Sequence, residues 1–150
     1  MSRVPVRTMA ASAVLLVTLA GFEGYRQIAY TPIEGDVLTI GFGTTTGVRS
    51  GDSMDPVTAL NRKLADIQRY EGAIKQCVTA ALHQREYDAY VSLSYNIGPT
   101  AFCGSTLVRL LNAGDYAGAC AQILRWNKFK GRVLRGLTIR REVEHKLCLG

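Results

Sequence analysis

Twelve acidic side chains and two histidines carry most of the acid–base capacity of this 150-residue chain. Glu23 stands apart from the rest. It follows an apolar run directly, with Phe22 before it and Gly24 after it. Apolar surroundings disfavour the charged form of a carboxyl group, which suits a general acid near neutral pH. Glu34 and Asp36 follow on the approach to a β-rich stretch. A helix glutamate facing a second carboxylate across a cleft is the layout that cleaves a glycosidic bond. One acid protonates the leaving oxygen, and the other stabilises an oxocarbenium-like transition state or activates water. The plainer alternative makes Glu23 the polar end of an export segment, with Glu34 and Asp36 as turn residues. Other chemistries lack their motifs. Gly41-Phe42-Gly43 lacks the third glycine of a dinucleotide fingerprint, and no G-x-S-x-G or H-E-x-x-H occurs. His83, with Glu86 and Asp88 after it, reads as a solvated helix start. His145 falls among surface charges.

The elements that must position these groups follow from periodicity and capping. Thr8 to about Ala29 reads as a helix. From Tyr30 to about Arg49 the β-branched residues and Gly41, Gly43 and Gly47 predict a hairpin or three-stranded lobe. Asp55-Pro56 is a helix start, followed by Val57, Leu60, Leu64, Ile67 and Ile74 at helical spacing. A further helix covers 84–97. Ser105 caps a short helix ending at Asn112-Ala113-Gly114, and Asp115 caps another that reaches Trp126. After a basic turn containing Gly131 and Gly136, Thr138 caps a last helix through Leu147. The expected class is α+β: a small β lobe after the first helix, then a larger, mostly helical lobe.

Composition narrows the class further. A chain that is 47% hydrophobic and 20% charged is not disordered. The net charge of +6 is unevenly placed. Residues 1–124 hold ten basic and ten acidic side chains, whereas 125–150 hold eight basic and two acidic. Such a tail draws an anionic glycan, an anionic membrane face or nucleic acid, or simply keeps a helix face solvated. At the other end, Arg3 and Arg7 precede an uncharged run from Thr8 to Phe22. As a helix it spans roughly 22 Å, short of a hydrocarbon core of about 30 Å. It fits a cleaved signal peptide ending at Ala20, a weak releasable anchor or a buried soluble helix. Cys77, Cys103, Cys120 and Cys148 are even in number and lack C-x-x-C spacing, which favours two disulfides in an oxidising compartment over zinc. Of three connectivities, Cys77–Cys103 with Cys120–Cys148 is the expected one.

Several separated motifs carry a resemblance. Glu23-Gly24-x-Arg26-x-x-Ala29-Tyr30, Leu38-Thr39-Ile40-Gly41-Phe42-Gly43-Thr44-Thr45, Tyr95-Asn96-x-Gly98, Ser105-Thr106-Leu107 and Arg140-Arg141-x-x-Glu144 occur in that order. Across residues 20–148 the chain resembles the phage-type lysozymes, the family of phage endolysin muramidases. Its front end resembles the signal-anchor-release subgroup. The resemblance implies a lysozyme-like fold, with a segment 1–22 that anchors and releases and a muramidase domain 23–150. It implies hydrolysis of the β-1,4 bond between N-acetylmuramic acid and N-acetylglucosamine by a monomer. It implies no metal, organic cofactor or nucleic acid. The protein would be tethered to the inner membrane before release and act in the periplasm afterwards. Glu23 matches the family's acid and Thr39 its water-positioning threonine. The family's aspartate position falls on Pro32 counted from Glu23 and on Ile33 counted from Thr39, so Asp36, or failing it Glu34, must supply the second carboxylate. Thr44 stands where many relatives have histidine. Tyr95, Asn96, Arg140 and Arg141 are the expected substrate-binding residues. The alternatives are a lytic transglycosylase using the same acid, and a non-enzymatic, basic, membrane-active exported protein.

Overall fold

The apolar run does become a helix, but a shorter one than its composition predicts. After a strand β1 (Val4–Pro5) and a 3-10 turn (Val6–Thr8), helix α1 covers Ala13–Glu23 and buries Leu15, Leu19 and Ala20. Gly24 ends it with a φ of 69°, a backbone region open to glycine without strain. The expected continuation to Ala29 is instead strand β2 (Arg26–Tyr30), paired antiparallel with β3 (Thr39–Gly41). Pairing wins here because Ile28 bridges Ser53 on its other edge, while the Ala29 N–H donates to the Asp52 carbonyl. The lobe is therefore three-stranded in effect.

The computed structural model describes residues 2–150. It forms two compact units, one of Ala13–Gln68 and one of Met1–Ser12 with Arg69–Gly150. Neither limit falls at residue 22. In the first unit, Ile40, Met54 and Ala59 form a small core under Tyr25, Ala29, Phe42 and Val48. Helix α2 (Pro56–Cys77) runs out of it. Asp55 caps α2 by accepting from the Val57 and Thr58 N–H groups, as its sequence predicts.

In the second unit, β4 (Ala81–Leu82) leads to α3 (Gln84–Ile97), α4 (Pro99–Cys103), α5 (Thr106–Asn112) and α6 (Tyr116–Gln122). Ser105 and Asp115 cap α5 and α6 by accepting from Val108 and Gly118. The basic turn is more ordered than expected. It is a hairpin of β5 (Lys128–Phe129) and β6 (Arg132–Val133), closed by Lys130 and Gly131, both with positive φ. The last helix, α7, covers Arg135–Leu149, so Gly136 and Thr138 lie inside it. Thr138 does not cap it but donates to the Leu134 carbonyl. Cys77–Cys103 and Cys120–Cys148 are bonded, as expected. The second closes a separation of 28 residues, worth roughly 3–4 kcal/mol in the chain-entropy account.

Residues 2–12 belong to this second unit as a strap. β1 pairs with β4, with Val4 opposite Leu82. Arg3 forms two bonds to Glu86, at 3.1 and 2.8 Å, and its guanidinium lies 3.6 Å from the Tyr116 ring centre. The Ala11 N–H donates to Glu71, and Ser12 bonds Asp88 through both its backbone and its hydroxyl. Burial pushes the Glu86 carboxyl up, but Arg3 and the His83 N–H outweigh it and hold it below the usual carboxylate range. His83 is the N-cap of α3.

Candidate active site

Glu23 is the last residue of α1, about a third exposed, with its side chain against the glycine loop after β3. A Cβ on Gly43 would lie 3.0 Å from Glu23 Oε2, so any other residue there displaces the carboxyl group. Gly41 is equally constrained: its Cβ would meet the Ala59 Cβ at 2.8 Å. The two glycines of this loop let the backbone close over the small core on one side and the acid on the other.

The unexpected member is Lys63. It is fully buried, and its Nζ lies 4.0 Å from Glu23 Oε1. One turn further along α2, Asp66 accepts from the buried Thr44 hydroxyl at 3.0 Å. Two opposed fields act on the Glu23 carboxyl: the negative end of the α1 dipole and the Lys63 ammonium. The sequence contained a signal for Lys63. It lies four residues after Ala59 and four before Ile67, both fully buried, which places it in the apolar stripe of α2. Lys63→Met should lower kcat by roughly tenfold or more with KM nearly unchanged, because a misplaced acid forfeits orientation rather than binding. Steady-state kinetics on soluble peptidoglycan, beside a thermal melt, would check this. A loss confined to KM would count against it.

Thr39 begins β3, is buried, and donates from Oγ1 to the Val37 carbonyl at 3.2 Å. Its proton is committed, so toward a water molecule it acts as an acceptor. Asp36 and Glu34 are both exposed. They sit in a turn closed by the Asp36 N–H on the Ile33 carbonyl, and Gly35, at φ 83°, makes it type II. Asp36 Oδ1 accepts from the following N–H, of Val37, at 2.8 Å.

The other four expected residues lie in the second unit. Tyr95 packs on Tyr70 with ring centres 4.8 Å apart, and Asn96 is exposed. Arg140 and Arg141 are buried around one carboxylate, Glu144. Arg140 Nε and Arg141 Nη2 reach Glu144 Oε1 at 3.2 and 3.0 Å, Arg141 Nε reaches Oε2 at 2.7 Å, and the Ser92 hydroxyl donates to Oε1 at 2.6 Å. Arg140 also donates to the Ser92 carbonyl, and Arg141 to that of Trp126. Burial pushes the Arg141 guanidinium below its ordinary value, with Glu144 opposing. The pair ties α7 to α3 one turn before Tyr95. Among the described residues no three His, Cys, Asp or Glu side chains converge as a metal site would require.

The phage lysozyme family profile matches residues 20–144, which include Glu23, the glycine loop and the arginine pair. The chain belongs to the phage lysozyme family. As a phage lysozyme it is a glycoside hydrolase. It is 38% identical over 136 residues to an endolysin of Acyrthosiphon pisum secondary endosymbiont phage 1, covering 88% of this chain and 92% of that one. It is 35% identical over 144 residues to the SAR-endolysin of Pseudomonas phage phiKMV, covering 93% and 89%. Its fold matches a crystal structure of a P22 lysozyme mutant with a TM-score of 0.86 at 35% identity, over 95% of this chain and all of that one. The lysozyme-like α+β expectation is met.

Proposed function

We propose that this phage lysozyme is an endolysin in which Glu23 protonates the glycosidic oxygen between N-acetylmuramic acid and N-acetylglucosamine. The observation that carries the reading is the setting of Glu23: a partly exposed carboxyl at a helix end, fixed by a glycine loop and a buried lysine. Asp36 supplies the second carboxylate, aimed by the type II turn and held through Oδ1. Thr39, with its own proton engaged, accepts from the attacking water. Tyr95 and Asn96 contact the sugar chain. Arg140 and Arg141 fix the α3–α7 junction around Glu144 and so hold the end of α3 that carries Tyr95 and Asn96.

Residues 1–22 act as the anchor that tethers the protein to the inner membrane and then releases it to act in the periplasm. The name of the phiKMV relative and the Arg3–Arg7 flank support this. Among the described residues no helix is long and apolar enough to cross a membrane.

Product analysis tests the chemistry. Digested peptidoglycan should end in reducing N-acetylmuramic acid. Asp36→Asn should lose roughly a hundredfold of activity, and Glu34→Gln should stay within about threefold of wild type. A 1,6-anhydro end, formed equally well by Asp36→Asn, would establish a lytic transglycosylase instead.

A further inference from the structure

The β5–β6 hairpin and the turn into α7 are exposed without interruption from Lys128 to Gly136. Four cations lie in this stretch: Lys128, Lys130, Arg132 and Arg135. No acidic residue occurs between Asp115 and Glu142. The stretch also exposes large apolar side chains. Phe129 and Val133 are each 59% accessible, and Leu134 is exposed as well. We propose that this hairpin is a docking surface for an anionic phospholipid bilayer, separate from the N-terminal segment.

The register of the ladder supports this partner over others. Lys128 pairs with Val133, and Phe129 pairs with Arg132. Cross-strand partners share a face, so each face of the ribbon carries one cation and one apolar group. A protein groove that buried Phe129 or Val133 would bury a cation beside it. A polar glycan would satisfy the cations and leave the apolar groups in water. The boundary between headgroups and acyl chains accepts both, with cations at the phosphates and apolar side chains a few ångströms deeper. The Lys130 ammonium, 5.4 Å from the Phe129 ring centre, already sits at the outer end of such an arrangement. Basic side chains near an anionic leaflet each strengthen binding roughly fivefold, and a second, apolar signal makes the attachment durable.

Vesicle co-sedimentation of the full chain tests the proposal. The probes are phosphatidylcholine vesicles with and without phosphatidylglycerol. One variant removes the apolar groups and keeps the charge (Phe129→Ser with Val133→Ser). A second removes charge and keeps the apolar groups (Lys130→Gln with Arg132→Gln). The wild type should prefer the anionic vesicles, and each variant should bind them at least about tenfold more weakly. Both should still hydrolyse soluble peptidoglycan fragments as wild type does, which shows that they fold. Wild-type binding by both variants would assign membrane attachment to the N-terminal segment alone and overturn the proposal. So would a serine variant that binds vesicles normally while the glutamine variant loses both vesicles and purified sacculi, since that pattern marks a general polyanion surface.

Discussion

Glu23→Gln is expected to abolish clearing of outer-membrane-permeabilised Gram-negative cells, with a loss of roughly 10²–10⁴ in rate. The amide keeps the size of the side chain, so it still fits against Gly43, whose missing Cβ leaves room for it. It has no proton to transfer to the leaving sugar oxygen. Departure of an unprotonated alkoxide then dominates the barrier. The variant should still fold, with at most a modest fall in melting temperature, because the side chain it changes is about a third exposed and the Lys63 ammonium lies no closer than 4.0 Å to it. It should also bind anionic vesicles normally, since the hairpin is untouched. Turbidity traces of the two proteins side by side read the effect directly. Equal clearing by both would make lysis a matter of charge-driven membrane damage, and the assignment of Glu23 would fall with it.

Glu144→Gln should be the most destabilising single substitution in the chain among those described. Glu144 is the shared acceptor for two guanidiniums and a serine hydroxyl, with one per cent of its side chain exposed. An amide leaves two cations, both nearly inaccessible, around a neutral group. Removing one member of a buried ionic cluster typically costs about 3–5 kcal/mol, because the remaining charges stay desolvated. For a chain of this size that corresponds to a drop of roughly 6–20 °C in melting temperature. Denaturant titration with intrinsic fluorescence would measure it, as the Trp126 carbonyl accepts from Arg141 in the same network. A double variant, Arg141→Met with Glu144→Leu, should recover part of the loss, since the pair's desolvation is then removed with its attraction. A Glu144→Gln protein as stable as wild type would mean that water reaches the cluster freely.

Three helix starts were plainly legible in the sequence, because their cause is local. Asp55, Ser105 and Asp115 each bond an N–H two or three residues on, and a side chain that does so announces itself by type and position. The end of α1 was not legible from the same kind of reasoning. Residues 25–29 have no strong helix breaker besides Gly24, and what pulls them into a strand is pairing with residues 39–41 and 53, distant in sequence. The β5–β6 hairpin was missed because Lys-Gly is a weaker turn signal than Asn-Gly, although the backbone requirement is identical. At the site, residue types were readable and burial was not. Arg140 and Arg141 lie in a helix crowded with charge, and only the spacing of four and three residues to Glu144 hinted that they share an acceptor. Lys63 was hidden by its type: a lysine on an amphipathic helix reads as solvent-facing until its register is counted against Ala59 and Ile67.

The strap of residues 2–12 has a consequence in time. Arg3 bonds a residue 83 positions later, and Ser12 one 76 positions later. A ribosome adding about 5–20 residues per second needs roughly 4–17 s to make the acceptors after it has made the strap. Throughout that interval the run from Thr8 to Phe22 exists, and the carboxylates and strand edge that will hold its leading end do not. The first apolar environment within its reach is therefore one that the chain does not itself provide. A nascent protein of this design carries its apolar run in the open before its own body exists to cover it, and the order of translation alone sets that interval.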